Sequence, residues 1–215
     1  MAEASSHLPG AVEKRWPGET FICIGSGPSL TVDDVEFCRG KARIVAVNDA
    51  YVLAPFADCL YACDGSWWDH HKGVPSFSGL KYGLTVKLGK WPGVIRLSHT
   101  GQEGFDESSA GIRSGGNSGF QAIQVAVKLG AARIVLLGYD MKRDAKGRSH
   151  FFGEHPKVLR KAMDYTTVQR YFKSLVVPLR NKGIEVVNCS RDTAIQAFPR
   201  MDLHATLAQS VRAVA

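Results

Sequence analysis

The stretch "FICIGSGPSL", Phe21 to Leu30, decides the fold. Four strand-forming residues run directly into Gly-Ser-Gly-Pro-Ser, too rich in turn formers to prolong a strand and too apolar in its surroundings for an ordinary surface loop. A buried strand ending in a glycine turn is the opening of an α/β domain, and the rest of the chain repeats the pattern. Short apolar runs at Arg43–Val47, Cys59–Cys63, Val94–Leu97, Arg133–Leu137 and Glu185–Val187 read as strands, several apolar throughout, as in sheets covered on both faces. Helical stretches alternate with them. The expected architecture is α/β: a Rossmann-like, mostly parallel sheet flanked by helices.

The clearest helix is "GFQAIQVAVKLG". Gln121, Gln124 and Lys128 form a polar stripe opposite Phe120, Ile123 and Val127, and Gly130 stands at the C-cap. A longer helix is expected after Pro156, with Leu159, Met163, Tyr171 and Leu175 on one face and Pro178 kinking or ending it. The segment "LHATLAQSVRAV" reads as a C-terminal helix. Residues 1–18 read as an N-terminal arm and 19–215 as a single Rossmann-like domain, with a lid around 141–155.

The 215 residues are 45% hydrophobic and 22% charged, enough to bury one core and inconsistent with disorder. Five cysteines, an odd number, two of them on one face of a probable strand, argue for core packing in a reducing compartment. The sequence has no run of eighteen apolar residues, and its first residues lack an apolar leader segment, so a cytoplasmic protein without a transmembrane segment is expected. The net charge of +7 suits anionic partners, nucleic acid among them. Lys142, Arg143, Lys146, Arg148, Lys157, Arg160 and Lys161 carry much of it, either as a solvated face or as a binding surface.

Ligands of open parallel sheets bind at the carboxyl ends of the strands. There the sequence collects Gly25, Ser26, Gly27, Pro28 and Ser29 after the first strand, Asn48 and Asp49 after the second, Asp64 after the third, and Gly138, Tyr139 and Asp140 after the fifth. The glycine turn is neither a dinucleotide fingerprint, since Leu30 stands at its third glycine position, nor a Walker loop. Pro28 is placed to pre-set the helix behind it. A second glycine-rich segment, "RSGGNSG", enters the clearest helix through Asn117, Ser118 and Gly119. It is either an anion site or a connector capped by Asn117 or Ser118.

The segment "YACDGSWWDHH" brings Asp64, Asp69, His70 and His71 together, but adjacent histidines usually point apart, so a loop with buried tryptophan is expected and a metal is not. A cysteine or serine nucleophile finds no partner pattern.

Taken together, "GSGPSL", "VND", "NSGFQAIQVAVKLGAARIVLLGYD" and "SHFFGEH" resemble the bacterial sialyltransferases of glycosyltransferase family 42. The resemblance extends to the wider superfamily of domain-of-unknown-function-115 proteins and archaeal-type 6-hydroxymethylpterin pyrophosphokinase. It spans residues 20 to 155. It implies a transferase acting on a nucleotide-activated donor by direct displacement, with no required cofactor. Ser26, Gly27 and Ser29 would lie near donor phosphate and sugar, and Asn48 near the nucleotide. Asn117, Ser118 and Gly119 would contact the donor, and Gly138, Tyr139 and Asp140 would hold the nucleoside. His155 would be the catalytic base, with His150 in reserve.

Departures from the family pattern, at Ser26, Asp64, Met141, Lys142 and Phe151, widen the expected donor from CMP-sialic acid to CMP- or another nucleotide sugar. They also leave Lys142, Arg143 or Arg148 to meet the departing phosphate. The pyrophosphokinase branch implies an alternative, Mg²⁺-dependent phosphoryl transfer using Asp64 and Asp140. A non-catalytic nucleotide- or nucleic-acid-binding protein is the third reading. The acceptor and the oligomeric state leave no signature.

Overall fold

The structure, a computed structural model, describes residues 10–87, 89–160 and 162–210. Positions 1–9 of the expected arm, Lys161 of the basic run and the end of the expected C-terminal helix lie outside the described residues.

The elements in chain order are β1 (Thr20–Ile24), α1 (Val32–Cys38), β2 (Arg43–Val47), β3 (Cys59–Ala62), α2 (Gly65–His70), β4 (Leu80–Gly83), β5 (Val94–Arg96), β6 (Ser98–His99), β7 (Gly111–Ile112), α3 (Ser118–Leu129), β8 (Arg133–Leu137), α4 (Tyr165–Asn181), β9 (Glu185–Asn188) and α5 (Leu203–Ser210), with 3-10 turns at Asn48–Val52 and Lys157–Leu159. Seven strands form one sheet in the order β5-β4-β3-β2-β1-β8-β9. Every pairing in it is parallel. A parallel sheet needs cover on both faces, which is why β1, β2, β3 and β8 carry so few polar residues. Phe21 and Cys23 face the layer of α3 and α4, whereas Ile22 and Ile24 face α1, α2 and α5. This is a Rossmann-like α/β fold. Among the described residues no helix is long and apolar enough to cross a membrane.

Several elements differ from the sequence-based expectation. Strand β4 was not expected; "LKYG" has a lysine and a glycine, and its pairing comes from β3 and β5 rather than from local propensity. The polar stripe of α3 is not solvated. Gln121 and Gln124 are fully buried. The Tyr61 hydroxyl donates to Gln121 Oε1 at 2.6 Å, and Gln121 Nε2 donates to the Ser114 carbonyl at 2.6 Å. Gln124 accepts from the Arg113 N–H at 3.1 Å and donates to the Arg113 carbonyl at 2.8 Å. The stripe therefore pins the segment before α3, satisfying buried amides in pairs.

Pro156 opens only a 3-10 turn. The long helix α4 begins at Tyr165, where Asp164 caps it by accepting from the Thr167 N–H at 3.2 Å and the Thr167 hydroxyl at 2.6 Å. Met163 precedes the helix and is exposed. Nor does Pro178 end α4. It removes one hydrogen bond in the last turn, and buried Leu179 holds that turn in the core. The described part of the arm runs along the domain, with the Val12 N–H donating to the Ser109 carbonyl at 2.9 Å and the Trp16 N–H to Leu129 at 2.9 Å.

Candidate functional site

Strand order reverses between β1 and β8, where open α/β sheets usually leave a ligand crevice. Here the two strand ends are laced together. The Gly25 N–H donates to the Leu137 carbonyl at 2.7 Å and the Gly27 N–H to Gly138 at 2.8 Å. Beyond them, Ser29 N–H donates to Asp140 Oδ2 at 2.8 Å and Ser29 Oγ–H to Asp140 Oδ1 at 2.9 Å. A Cβ on Gly27 would stand 2.1 Å from Asp140 Oδ1, and one on Gly25 2.6 Å from the Gly138 carbonyl. The glycines permit this closure, and a ligand is not needed to explain them.

Asp140 is only 2% exposed, and both its oxygens are engaged by Ser29, so it is not the free ribose acceptor that the sequence suggested. Burial pushes its carboxyl up to about 6 against the pull of the Ser29 donors. Tyr139 is also turned inward: it is fully buried, and its hydroxyl donates to the Gly119 carbonyl at 3.1 Å. Pro28 does not start a helix. It lies inside a Gly27–Leu30 turn closed by the Leu30 N–H at 3.1 Å, and α1 begins later with Thr31 as its cap.

The start of α3 takes its connector reading. Asn117 accepts from the Gly119 N–H at 2.8 Å and from the Phe120 N–H at 3.2 Å, occupying the helix terminus. Ser118 Oγ accepts from the Cys63 N–H at 3.3 Å. Gly119 is needed because a Cβ there would stand 2.8 Å from the Tyr139 ring.

The groups left for chemistry gather instead above β1, β2 and β3. Asn48 adopts a φ of +50°, a left-handed conformation that asparagine tolerates better than most residues, and so turns the chain at the end of β2 to present Asp49. The Asp49 carboxylate lies between two imidazoles, His71 Nε2 3.4 Å from Oδ1 and His155 Nδ1 3.7 Å from Oδ2. Trp67 Nε1 donates to Oδ2 at 3.0 Å. The side chains of Asp49, His71 and His155 are 16%, 17% and 17% exposed. Tyr51 Oη stands 3.2 Å from His71 Nδ1, and the Trp67 ring packs on His71 at 4.2 Å between centroids, one helical turn earlier in the chain.

Burial alone would raise the Asp49 carboxyl, but His71, Trp67 and the nearby His155 outweigh it and hold it below the usual carboxylate range. Burial lowers His155, with Asp49 opposing. Burial and the neighbouring His155 push His150 down to about 4.

His150 stacks on Phe152 at 5.0 Å and lies 4.5 Å from the His155 ring. The Phe151 N–H donates to the Ser26 carbonyl at 3.0 Å, and Ser26 Oγ donates to the Val47 carbonyl at 3.2 Å. The 141–155 segment thus rests on the glycine turn and delivers both histidines to the cluster. Asp64 stands at the start of α2 and adds negative charge near His155.

The cations expected to meet phosphate pair with carboxylates of their own chain. Lys142 reaches Asp192 at 2.6 Å, Arg143 reaches Glu154 at 3.0 Å and Arg148 reaches Asp144 at 2.7 Å. Of the two carboxylates that Mg²⁺-phosphate chemistry would use, Asp140 is engaged by Ser29 and Asp64 stands at the start of α2. Among the described residues no three His, Cys, Asp or Glu side chains converge as a metal-binding set.

Two clefts lie away from the cluster. One cleft of about 450 Å³ runs between α1 and the Cys189–His204 segment, and another of about 610 Å³ lies beside Gly18, Gly130 and Gly183. Neither is lined by a residue of the histidine cluster. Comparison with protein-family models, curated proteins and solved structures returned no match.

Sequence reasoning named Asn48 and, through the resemblance, His155 and His150, but gave no catalytic role to Asp49, His71, Tyr51 or Trp67. The available signal was the spacing of Trp67 and His71, four residues apart and therefore on one helical face.

Proposed function

We propose that the chain is a group transferase acting on a nucleotide-activated donor, in the first instance a CMP- or other nucleotide sugar. The observation that carries this reading is the approach of His155 Nδ1 to the Asp49 carboxylate beside the glycine turn. A carboxylate that holds the Nδ1–H of an imidazole leaves Nε2 to accept a proton, and it stabilises the imidazolium that forms. In direct displacement the acceptor oxygen bonds to the donor carbon, that carbon's bond to phosphate oxygen breaks, and the nucleotide leaves with the electron pair. The acceptor's proton passes to His155. Catalytic contacts often tighten when substrate arrives, so a separation of 3.7 Å suits a resting site. No cofactor is required by this chemistry.

The test begins with thermal shifts against CMP, CMP-sugars and other nucleotide sugars, where a true ligand raises the melting temperature. With the donor found, His155→Ala should lose about 10²- to 10⁴-fold in turnover, the usual worth of a general base, and keep the thermal shift. Undiminished turnover in His155→Ala would overturn the reading.

A further inference from the structure

The base of the proposed reaction shares its carboxylate. His71 approaches Oδ1 of Asp49 as His155 approaches Oδ2, and His71 is itself held from behind by Tyr51. His71 Nε2 and His155 Nδ1 are both buried and have no hydrogen-bond partner within bonding distance. Two inward-facing imidazole nitrogens with one anion between them are more than packing requires. An imidazole filling space would leave its polar edge to water or to a backbone carbonyl. A Tyr51 hydroxyl that donates to Nδ1 fixes neutral His71 as the Nε2–H tautomer, with its N–H aimed at Asp49.

We propose that His71 is a positioning residue that competes with His155 for the Asp49 carboxylate, and so keeps the His155 imidazole in its proton-accepting form. The inference rests on the transferase reading for its purpose but not for its test. The charged and titratable groups around the pair are few. Asp49, His71, Glu154 and Asp64 act on His155, with the His150 ring beside it. Tyr51, Asp49 and the His70 ring face His71. An imidazolium at His155 must draw on the same anion that already accepts from Trp67 and faces His71 Nε2 at 3.4 Å, so its formation is opposed. Coupling of this kind makes two sites titrate as a pair.

The experiment is NMR titration of the full chain with isotope-labelled histidine, without substrate, each ring assigned by single substitution. In His71→Gln the His155 midpoint should move up by about half a pH unit or more, because Asp49 is released to it. In Tyr51→Phe it should move the same way by less, and in Asp49→Asn it should move down. In the unsubstituted protein neutral His71 should be the Nε2–H tautomer and His155 the Nδ1–H tautomer. Where a transferase assay exists, the acid limb of its pH profile should follow the His155 midpoint in His71→Gln.

A His71 serving only the fold would lower the melting temperature and leave the His155 midpoint in place, and that result overturns the proposal. So does an Nδ1–H tautomer at His71, which needs no variant to detect. Because the titration uses no donor, a chain without transferase activity would remove the proposed function and leave this coupling standing.

Discussion

Two carboxylates, buried Asp140 and half-buried Asp49, stand at carboxyl ends of the same sheet and behave in opposite ways. Asp140 accepts hydrogen bonds from the neutral donors of Ser29, with Asp192 and Lys142 acting on it in opposite senses, and burial raises its carboxyl to about 6. Asp49 meets an indole N–H and two imidazoles, and it stays below the ordinary carboxylate range although it too is largely withdrawn from water. Burial alone therefore does not mark a functional acid. What matters is whether the partners can themselves change charge. Asp140 clamps the glycine turn to β8, whereas Asp49 holds an anion among groups that exchange protons.

The sharpest way to break this contrast is to disturb the clamp sterically. Gly27→Ala places a Cβ 2.1 Å from Asp140 Oδ1, and the turn must part from β8. The loss in stability should be about 3 kcal/mol or more, at the upper end for overpacking. Ser26→Ala, on the histidine side of the same turn, removes only a hydroxyl bond to Val47 and should cost about 1 kcal/mol. Chemical denaturation measures both. Equal losses would mean that the turn is one structural unit and that the contrast is false.

A smaller effect follows from the opposite shifts. Asp140, with its folded value raised, contributes stability at low pH that is lost as pH rises from about 4 to about 6. His150, with its folded value depressed to about 4, contributes stability at neutral pH that is lost as pH falls from about 6.5 to about 4. Each contribution is on the order of 2 to 3 kcal/mol, so the two largely cancel across the same window. Asp140→Asn should expose the acid loss, and stability should then fall steeply below pH 6. His150→Gln should do the reverse, gaining relative stability as pH falls. Denaturation between pH 4 and 7 reads both, and parallel profiles in the two variants would refute the assignment.

The fold was legible where a strand carries its own signal. Phe21–Ile24, Arg43–Val47 and Arg133–Leu137 are apolar because both faces of the sheet are covered, and burial of that kind is written in composition. Strand β4 and the buried stripe of α3 were not legible, since a lysine, a glycine and two glutamines become ordered through partners distant in sequence. The site divides in the same way. The strand ends led to Asn48 and Asp49, and the resemblance named His155, whose ring the structure brings to 3.7 Å from the Asp49 carboxylate. The Asp49 sandwich depends on β2, α2 and the 141–155 segment meeting in space, which no local pattern encodes. The engagement of Asp140 by Ser29 was not legible either, because an acid after a strand looks the same whether it faces ligand or loop.

The least effect is expected from the cations, and it bears on which side of the contrast the 141–155 segment serves. Lys142 and Arg148 form close pairs with Asp192 and Asp144, but the side chains of Lys142 and Arg148 are 41% and 45% exposed. Exposed pairs contribute about 0 to 1 kcal/mol, so the double substitution Lys142→Ala with Arg148→Ala should barely change stability. If the segment serves the donor site, a phosphate must take these cations from their carboxylates. The gain in binding is then only the difference between two ion pairs, and it weakens as salt screens both. Nucleotide affinity in the double variant should fall severalfold in low salt, and the difference from the unsubstituted protein should shrink toward physiological salt. A loss of stability well above 1 kcal/mol with unchanged affinity would instead make the pairs a brace for the loop, placing Lys142 and Arg148 with Asp140 among the groups that hold the fold.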